Sequence, residues 1–178
     1  AVEAAGEESI FSLLPFHTKK AGIVTTGSEV QKGLIKDTFT PVLKEKLFEY
    51  NVQVIGQTLP GDDRQTITSD ILHLIEEGAD LILCSGGMSV DPDDRTPGAI
   101  KDTGADIVTY GAPVLPGAML LLAYYHKDGR TIPIIGLPGC VMYARRTVFD
   151  LILPRIMADD PVRADEICAY GEGGLCLN

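Results

Sequence analysis

Between Gly22 and Ser85 the chain switches repeatedly between two hydrophobic periods, and this alternation constrains its fold more than any other feature. Gly22-Ile23-Val24-Thr25-Thr26 is a short β-branched run that ends at Gly27. Leu43, Leu47 and Tyr50 then recur at helical spacing. Val52-Gln53-Val54-Ile55 reads as a second strand. Ile67, Ile71, Leu74 and Ile75 form the stripe of a helix that opens near Asp62 or Asp63 and is capped by Gly78. Leu81-Ile82-Leu83-Cys84 has no polar side, as expected of a strand covered on both faces of a parallel sheet. Strand, helix, strand, helix, strand in this order implies a doubly wound α/β unit with right-handed crossovers.

Downstream, a short helix is expected from about Pro97 to Thr103, and a strand over Ile107-Val108-Thr109-Tyr110. Met119 to Tyr125 and Ile132 to Leu137 read as two strands of a hairpin, because Lys127-Asp128-Gly129-Arg130 places Asp-Gly between them. A last helix is expected to carry Val141, Ala144, Val148, Leu151 and Ile152, with Pro154 kinking or ending it. Residues 1–20 read as a linker or the remnant of an upstream segment, 21–159 as one domain, and 160–178 as a loosely structured tail.

Composition narrows the functional classes. The chain has 178 residues, 45% of them hydrophobic, enough for one domain with its own core. Its formal net charge of −10 gives no electrostatic footprint for nucleic acid. No apolar run reaches the length of a membrane span, and no secretory signal pattern opens the chain. Cys84, Cys140, Cys168 and Cys176 form no CxxC pair, which favours a reducing, cytoplasmic setting. His17, His73 and His126 have no metal-ligand spacing.

Three loops follow strands at their carboxyl ends, the edge where open α/β sheets gather ligands. In Thr25-Thr26-Gly27-Ser28-Glu29, Gly27 permits a sharp turn, Ser28 offers a hydroxyl and Glu29 a carboxylate for a ligand amine, a magnesium ion or a proton. In Ser85-Gly86-Gly87-Met88-Ser89-Val90-Asp91-Pro92-Asp93-Asp94, the paired glycines suit an anion nest, and Ser85 and Ser89 add hydroxyls. Asp91, Asp93 and Asp94 supply oxygens suited to a hard cation such as magnesium, or simply favour a helix start. A side chain at Gly87 is expected to fill this nest and leave the fold intact. Gly136-Leu137-Pro138-Gly139-Cys140 ends a strand and opens a helix whose amides suit a phosphate. Cys140 reads better as a small residue beside a turn than as a nucleophile.

In this order the loops resemble the molybdopterin-binding domain shared by molybdopterin molybdotransferases, molybdopterin adenylyltransferases and gephyrin, over roughly Ala21 to Asp159. The motifs are Thr26-Gly27-Ser28-Glu29, Asp37 after Lys32 to Ile35, Ser85-Gly86-Gly87-Met88-Ser89, and Leu137-Pro138-Gly139. The resemblance implies a three-layer α/β/α fold with a mostly parallel central sheet. It also implies a pterin ligand and self-association, as a trimer of the isolated domain or a dimer within a longer chain. Gly27 and Glu29 match the family's first binding loop, Asp37 an acidic position after it, and Gly86, Gly87 and Ser89 the phosphate and pterin loop. Asp94 matches an acid linked to catalysis, and Pro138 and Gly139 match the last loop.

Asp91, Thr38, Phe39, Ala118 and Cys140-Val141 depart from the family pattern; at Ala118 the family carries a lysine. The glycine scaffold is kept while the chemical side chains change. The expected function is therefore molybdopterin binding in molybdenum-cofactor biosynthesis or handling. If the domain turns over, molybdate replaces adenylate on the bound dithiolene. Magnesium at Asp91 or Asp94 would neutralise phosphate charge, and Glu29 would position or protonate a reacting group. A non-catalytic cofactor carrier or sensor is one alternative. A nucleotide hydrolase of the competence-damage-inducible type is another. A Rossmann dinucleotide site is disfavoured, because the first strand lacks GxGxxG.

Overall fold

The apolar runs of the first half become the centre of a sheet. The computed structural model describes residues 11–89 and 91–172. Along the chain come β1 (Lys20–Thr26), α1 (Ser28–Gln31), α2 (Phe39–Phe48), β2 (Gln53–Gly61), α3 (Arg64–Glu76), β3 (Leu81–Ser85) and α4 (Thr96–Asp102). Then follow β4 (Asp106–Tyr110), β5 (Leu121–Lys127), β6 (Arg130–Leu137), a 3-10 turn (Gly139–Met142), α5 (Val148–Met157), α6 (Ala164–Ala169) and a second 3-10 turn (Tyr170–Glu172).

The six strands lie in the order β2-β1-β3-β6-β5-β4. β2, β1, β3 and β6 pair in parallel, whereas β5 runs antiparallel to both β6 and β4. The β5–β6 reversal is the Asp-Gly hairpin: Asp128 (φ 51°) and Gly129 (φ 73°) both take the left-handed conformation that a two-residue turn needs.

Side chains alternate across the sheet with the period of a strand. Ile23, Leu81, Leu83, Leu122 and Ile135 face α2, α5 and α6. Val24, Ile82, Cys84, Ala123 and Ile134 face α3 and α4. These two cores make the three layers. On the second face α3 sits close to the sheet, because a Cβ on Gly22 would fall 2.9 Å from Leu74 Cδ1, and one on Gly56 would fall 2.4 Å from Leu74 Cδ2. Among the described residues no helix is long and apolar enough to cross a membrane.

Three expectations need correction. The last helix does not start at Val141. The stripe of Val141, Val148 and Ile152 lies in one core but spans a 3-10 turn, a loop and α5. The break falls at Thr147, whose N–H donates to Asp150 Oδ2 at 2.8 Å. This Thr-x-x-Asp start, hidden inside an apolar stripe, caps a new helix. Pro154 neither ends that helix nor prevents it from reaching Met157. Finally, the chain after Asp159 is not loose as far as it is described. α6 is held by the Arg163 N–H to Glu166 Oε2 bond at 2.8 Å, and it buries Ile167 in the first core.

One buried ion pair ties α2 to the start of α5. Lys46 Nζ lies 2.5 Å from Asp150 Oδ1, with only 10% and 6% of the two side chains exposed. Lys46 also donates to the Arg145 carbonyl at 3.1 Å, and Asp150 accepts from Thr147 and Arg146. Removing one partner of such a pair leaves a charge uncompensated in a poorly solvated place. Lys46→Met is expected to lower unfolding stability by about 3 kcal/mol, read by urea denaturation. A loss under about 1 kcal/mol would mean that Arg146 alone neutralises Asp150.

Candidate ligand-binding site

Parallel pairing brings the carboxyl ends of β1, β2, β3 and β6 to one edge. The loop after β3 turns back over this edge. Gly86 (φ 84°) and Gly87 (φ 53°) take conformations that a side chain strains. Met88 is buried and packs on Gly136 of β6, where a Cβ would meet its Cε at 2.5 Å.

A hydroxyl cluster fixes this loop from beneath. Thr26 Oγ1 donates to the Ser85 carbonyl at 3.3 Å and lies 3.1 Å from Thr96 Oγ1. Thr96 Oγ1 donates to the Gly86 carbonyl at 2.9 Å. A Cβ on Gly86 would sit 2.4 Å from the Thr26 carbonyl oxygen, and one on Gly87 2.9 Å from Thr96 Oγ1. A side chain at Gly87 would therefore push into these threonines rather than simply fill the nest. The expectation of an intact fold in that variant is corrected.

A second cluster stands on the opposite face of the sheet. Asp37 accepts from Phe39 N at 2.9 Å, Thr40 N at 3.0 Å and Thr40 Oγ1 at 2.5 Å, so it caps α2. Gln57 of β2 donates to both Asp37 Oδ2 and Thr40 Oγ1 at 2.9 Å. Thr40 Oγ1 lies 3.3 Å from Thr25 Oγ1, and Ser85 Oγ donates to Thr25 Oγ1 at 3.4 Å. A chain of hydroxyls thus runs from Asp37 to the fully buried Ser85.

Above these supports lies a cleft of about 480 Å³. Gly86, Gly87, Ser89 and Asp94 form one side, and Pro138, Gly139 and Cys140 another. Phe39, Leu115, Pro116 and Met119 supply apolar wall. The Pro116 segment docks on α5 through Val148 N to the Pro116 carbonyl at 3.1 Å.

The remaining expected site residues lie outside this wall. Thr26 and Ser85 work beneath the loop, and Asp37 acts through α2, whose first residue Phe39 lines the cleft. Gly27 and Ser28 are tied to the β2–α3 turn: Gly27 N donates to the Gly61 carbonyl at 3.2 Å, and Ser28 N and Oγ to Asp62 Oδ2 at 2.8 and 2.5 Å. Glu29 is exposed in α1.

Asp94 is partly engaged already. Its Oδ2 accepts from Ser89 N and Ser89 Oγ, both at 2.6 Å, leaving Oδ1 for another group. Asp91 is exposed, and its Oδ1 accepts from Asp93 N at 3.0 Å. Among the described residues no three His, Cys, Asp or Glu side chains gather as a metal site. Tyr110 of β4, not anticipated from sequence, donates to the Ser89 carbonyl at 3.0 Å. Burial, and then the Asp94 charge, push its phenol above the ordinary value, so it remains a donor at neutral pH. Burial likewise raises the Cys140 thiol, opposed by a bond from its own backbone. A neutral thiol is a poor nucleophile, in keeping with a packing role.

Residues 22–158 match the family described as a probable molybdopterin binding domain. The chain belongs to that family. The CinA-like protein of Mycolicibacterium gilvum is 40% identical over 77 residues, which cover 43% of this chain and 18% of that protein. The CinA-like protein of Mycobacterium avium is 38% identical over 77 residues, with the same shares. The match thus spans less than a fifth of the length of these curated relatives. Among solved structures, the tungsten cofactor synthesizing protein MoaB from Pyrococcus furiosus aligns with TM-score 0.65 and 19% identity, over 78% of this chain and 92% of that one. The protein CinA from Thermoplasma acidophilum aligns with TM-score 0.61 and 18% identity, over 78% and 98%. At these identities the likeness shows a shared three-layer fold.

Two glycines of the site should respond oppositely to a methyl group. Gly86→Ala is expected to cost about 2 kcal/mol or more, from a positive φ and a clash with backbone. A Cβ on Gly139 meets nothing within 4 Å, so Gly139→Ala should leave the melting temperature within about 2 °C. Thermal unfolding of both variants checks the pair, and equal losses would show that the loop after β3 is not held as described.

Proposed function

We propose that this domain binds molybdopterin, or its adenylated form, in the cleft at the carboxyl edge of the sheet, in the biosynthesis or handling of molybdenum cofactor. The observation that carries this reading is the convergence of Gly86, Gly87, Pro138 and Gly139 on one cleft. Those residues come from two loops that are distant in sequence and match the family's binding motifs. A volume of about 480 Å³ suits a small ligand. Phe39, Pro116 and Met119 offer an apolar wall to a flat ring, and Ser89 and Asp94 offer polar contacts to its edge.

Among the described residues no lysine or arginine lines the cleft, and Ala118 stands in its wall. Ligand phosphate would therefore meet backbone amides or a cation that it brings along. Asp94 Oδ1 fits a magnesium ion shared with ligand phosphate and water, the usual way this ion is held. Asp91 would join it only if its loop turned inward. Molybdate would arrive as a substrate. Glu29, exposed at the neighbouring loop, would serve a ligand that extends beyond the cleft.

The uncharged Ala118 and Cys140 favour binding over turnover, hence a carrier or sensor as the second reading. The identity with CinA-like proteins supports a nucleotide ligand as the third. Self-association, as a trimer or within a longer chain as a dimer, is also proposed from the family resemblance.

Calorimetry with molybdopterin, its adenylated form and a nucleoside diphosphate, each with and without magnesium, separates these readings. Gly139→Leu should weaken pterin binding at least tenfold, about 1.4 kcal/mol, with an unchanged melting temperature. Pterin affinity undiminished in that variant would remove the cleft from the site. Asp94→Asn should reduce magnesium-dependent adenylate release more than affinity. Equal loss of both would confine Asp94 to holding Ser89, and binding of the nucleoside diphosphate alone would favour the hydrolase reading.

A further inference from the structure

A second cleft, of about 510 Å³, opens at the amino edge of the sheet, opposite the first. Its floor is apolar, built from Tyr124, Ile132, Pro133 and Ile156. Lys19 and Arg130 reach it from the residue before β1 and the first residue of β6. Its remaining wall includes His17 and Asp159-Asp160-Pro161.

Lys19 is the unusual group. Its side chain is only 9% exposed, and among the described residues its one acceptor is Asp159 Oδ1. An ammonium carries three donors, so a largely buried Lys19 has two N–H groups left for a further acceptor. Water in the cleft, or the acceptor of a ligand that displaces it, would take them. Asp159 is held at φ 53°, a conformation uncommon for residues other than glycine, in the turn that follows α5. That turn lets it face Lys19, with His17 Nε2 3.8 Å away. Arg130 is loosely engaged, 3.5 Å from Asp80 and nearly half exposed. Asp160 is already neutralised by Arg155 at 2.6 Å.

His17, Lys19 and Asp159–Pro161 all lie outside the family match at 22–158. The cleft therefore belongs to this chain's flanking segments as much as to the shared domain. We propose that it is a second binding site, for a small organic monoanion with an apolar body. Lys19 and Arg130 meet its carboxylate, and the body lies on Tyr124, Ile132 and Pro133. Asp80 and Asp159 keep one side negative, which disfavours ligands carrying several charges.

The test is a titration of the protein with benzoate, phenyl phosphate and, as an uncharged control, benzyl alcohol, followed by backbone amide resonances. Saturable shifts at residues 17–19, 130–132 and 159–160 are expected with an anionic probe and not with the alcohol. Benzoate, a monoanion at neutral pH, should bind more tightly than phenyl phosphate, which is largely dianionic there; the reverse order would overturn the preference for a single charge. Arg130→Gln, at an exposed position, should weaken binding several-fold without loss of fold. Lys19→Met should weaken it at least tenfold, about 1.4 kcal/mol. Absence of saturable shifts, equal shifts with benzyl alcohol, shifts confined to 86–89 and 139–140, or unchanged affinity in Arg130→Gln would each overturn the proposal.

Discussion

β3 has no exposed side chain, and much of the architecture depends on that. Leu81, Leu83 and Ser85 point to one face, and Ile82 and Cys84 to the other, all fully buried. A strand buried on both faces needs a neighbour on each edge for its backbone groups and a helical layer on each face for its side chains. β1 and β6 meet the first need; α3 and α4 on one side, α2 and α5 on the other, meet the second. Because all three central strands run parallel, their carboxyl ends fall together. A cleft at that edge follows from the packing of the core.

The loops at this edge differ in how much freedom the core leaves them. The loop after β3 is held by hydroxyls on the two sides of the sheet: Thr26 and Thr96 on one, Thr25 and Thr40 on the other. Each of these threonines is buried, so each hydroxyl must find a partner inside the protein. Once satisfied, such a network fixes one arrangement. The ligand proposed for the cleft would then meet the Gly86 and Gly87 backbone in an already ordered position, which would limit the conformational cost of binding. The loop after β1 is anchored elsewhere, on Asp62, and so stands beside the cleft rather than in it.

Most of the sheet was legible because strand and helix periods differ sharply in Ile23-Val24, Ile67 to Ile75 and Leu81 to Cys84. The Asp128-Gly129 turn announced its own hairpin. The final helix was misread because Val141 and Val148 share a core while belonging to different elements, and spacing alone does not reveal a Thr-x-x-Asp cap inside an apolar stripe. α6 was missed because its turn is held by charged side chains, Arg163 and Glu166, with a single deeply buried Ile167. In the site, glycines and prolines were readable as loop formers. Thr96, Thr40, Tyr110 and Asp62 were not, since each acts through a partner brought near only by folding: Thr26, Thr25, Ser89 and Ser28.

Charge completes the division between the two edges. Among the described residues the carboxyl-edge cleft has no cation in its lining and one half-engaged carboxylate, Asp94, so the pterin proposed to bind there would be selected by shape and by backbone donors. The amino-edge cleft carries Lys19 and Arg130, facing Asp159 and Asp80, over an apolar floor. In a chain of net charge −10, long-range attraction for anions is absent, and local donors must do the selecting. A largely buried ammonium suits that task better than an exposed one, because solvent screens it less. The Lys19–Asp159 pair also joins the start of β1 to the turn after α5. A ligand that engaged Lys19 would therefore act on the junction between the family domain and its flanking segments, far from the edge where the pterin is proposed to bind.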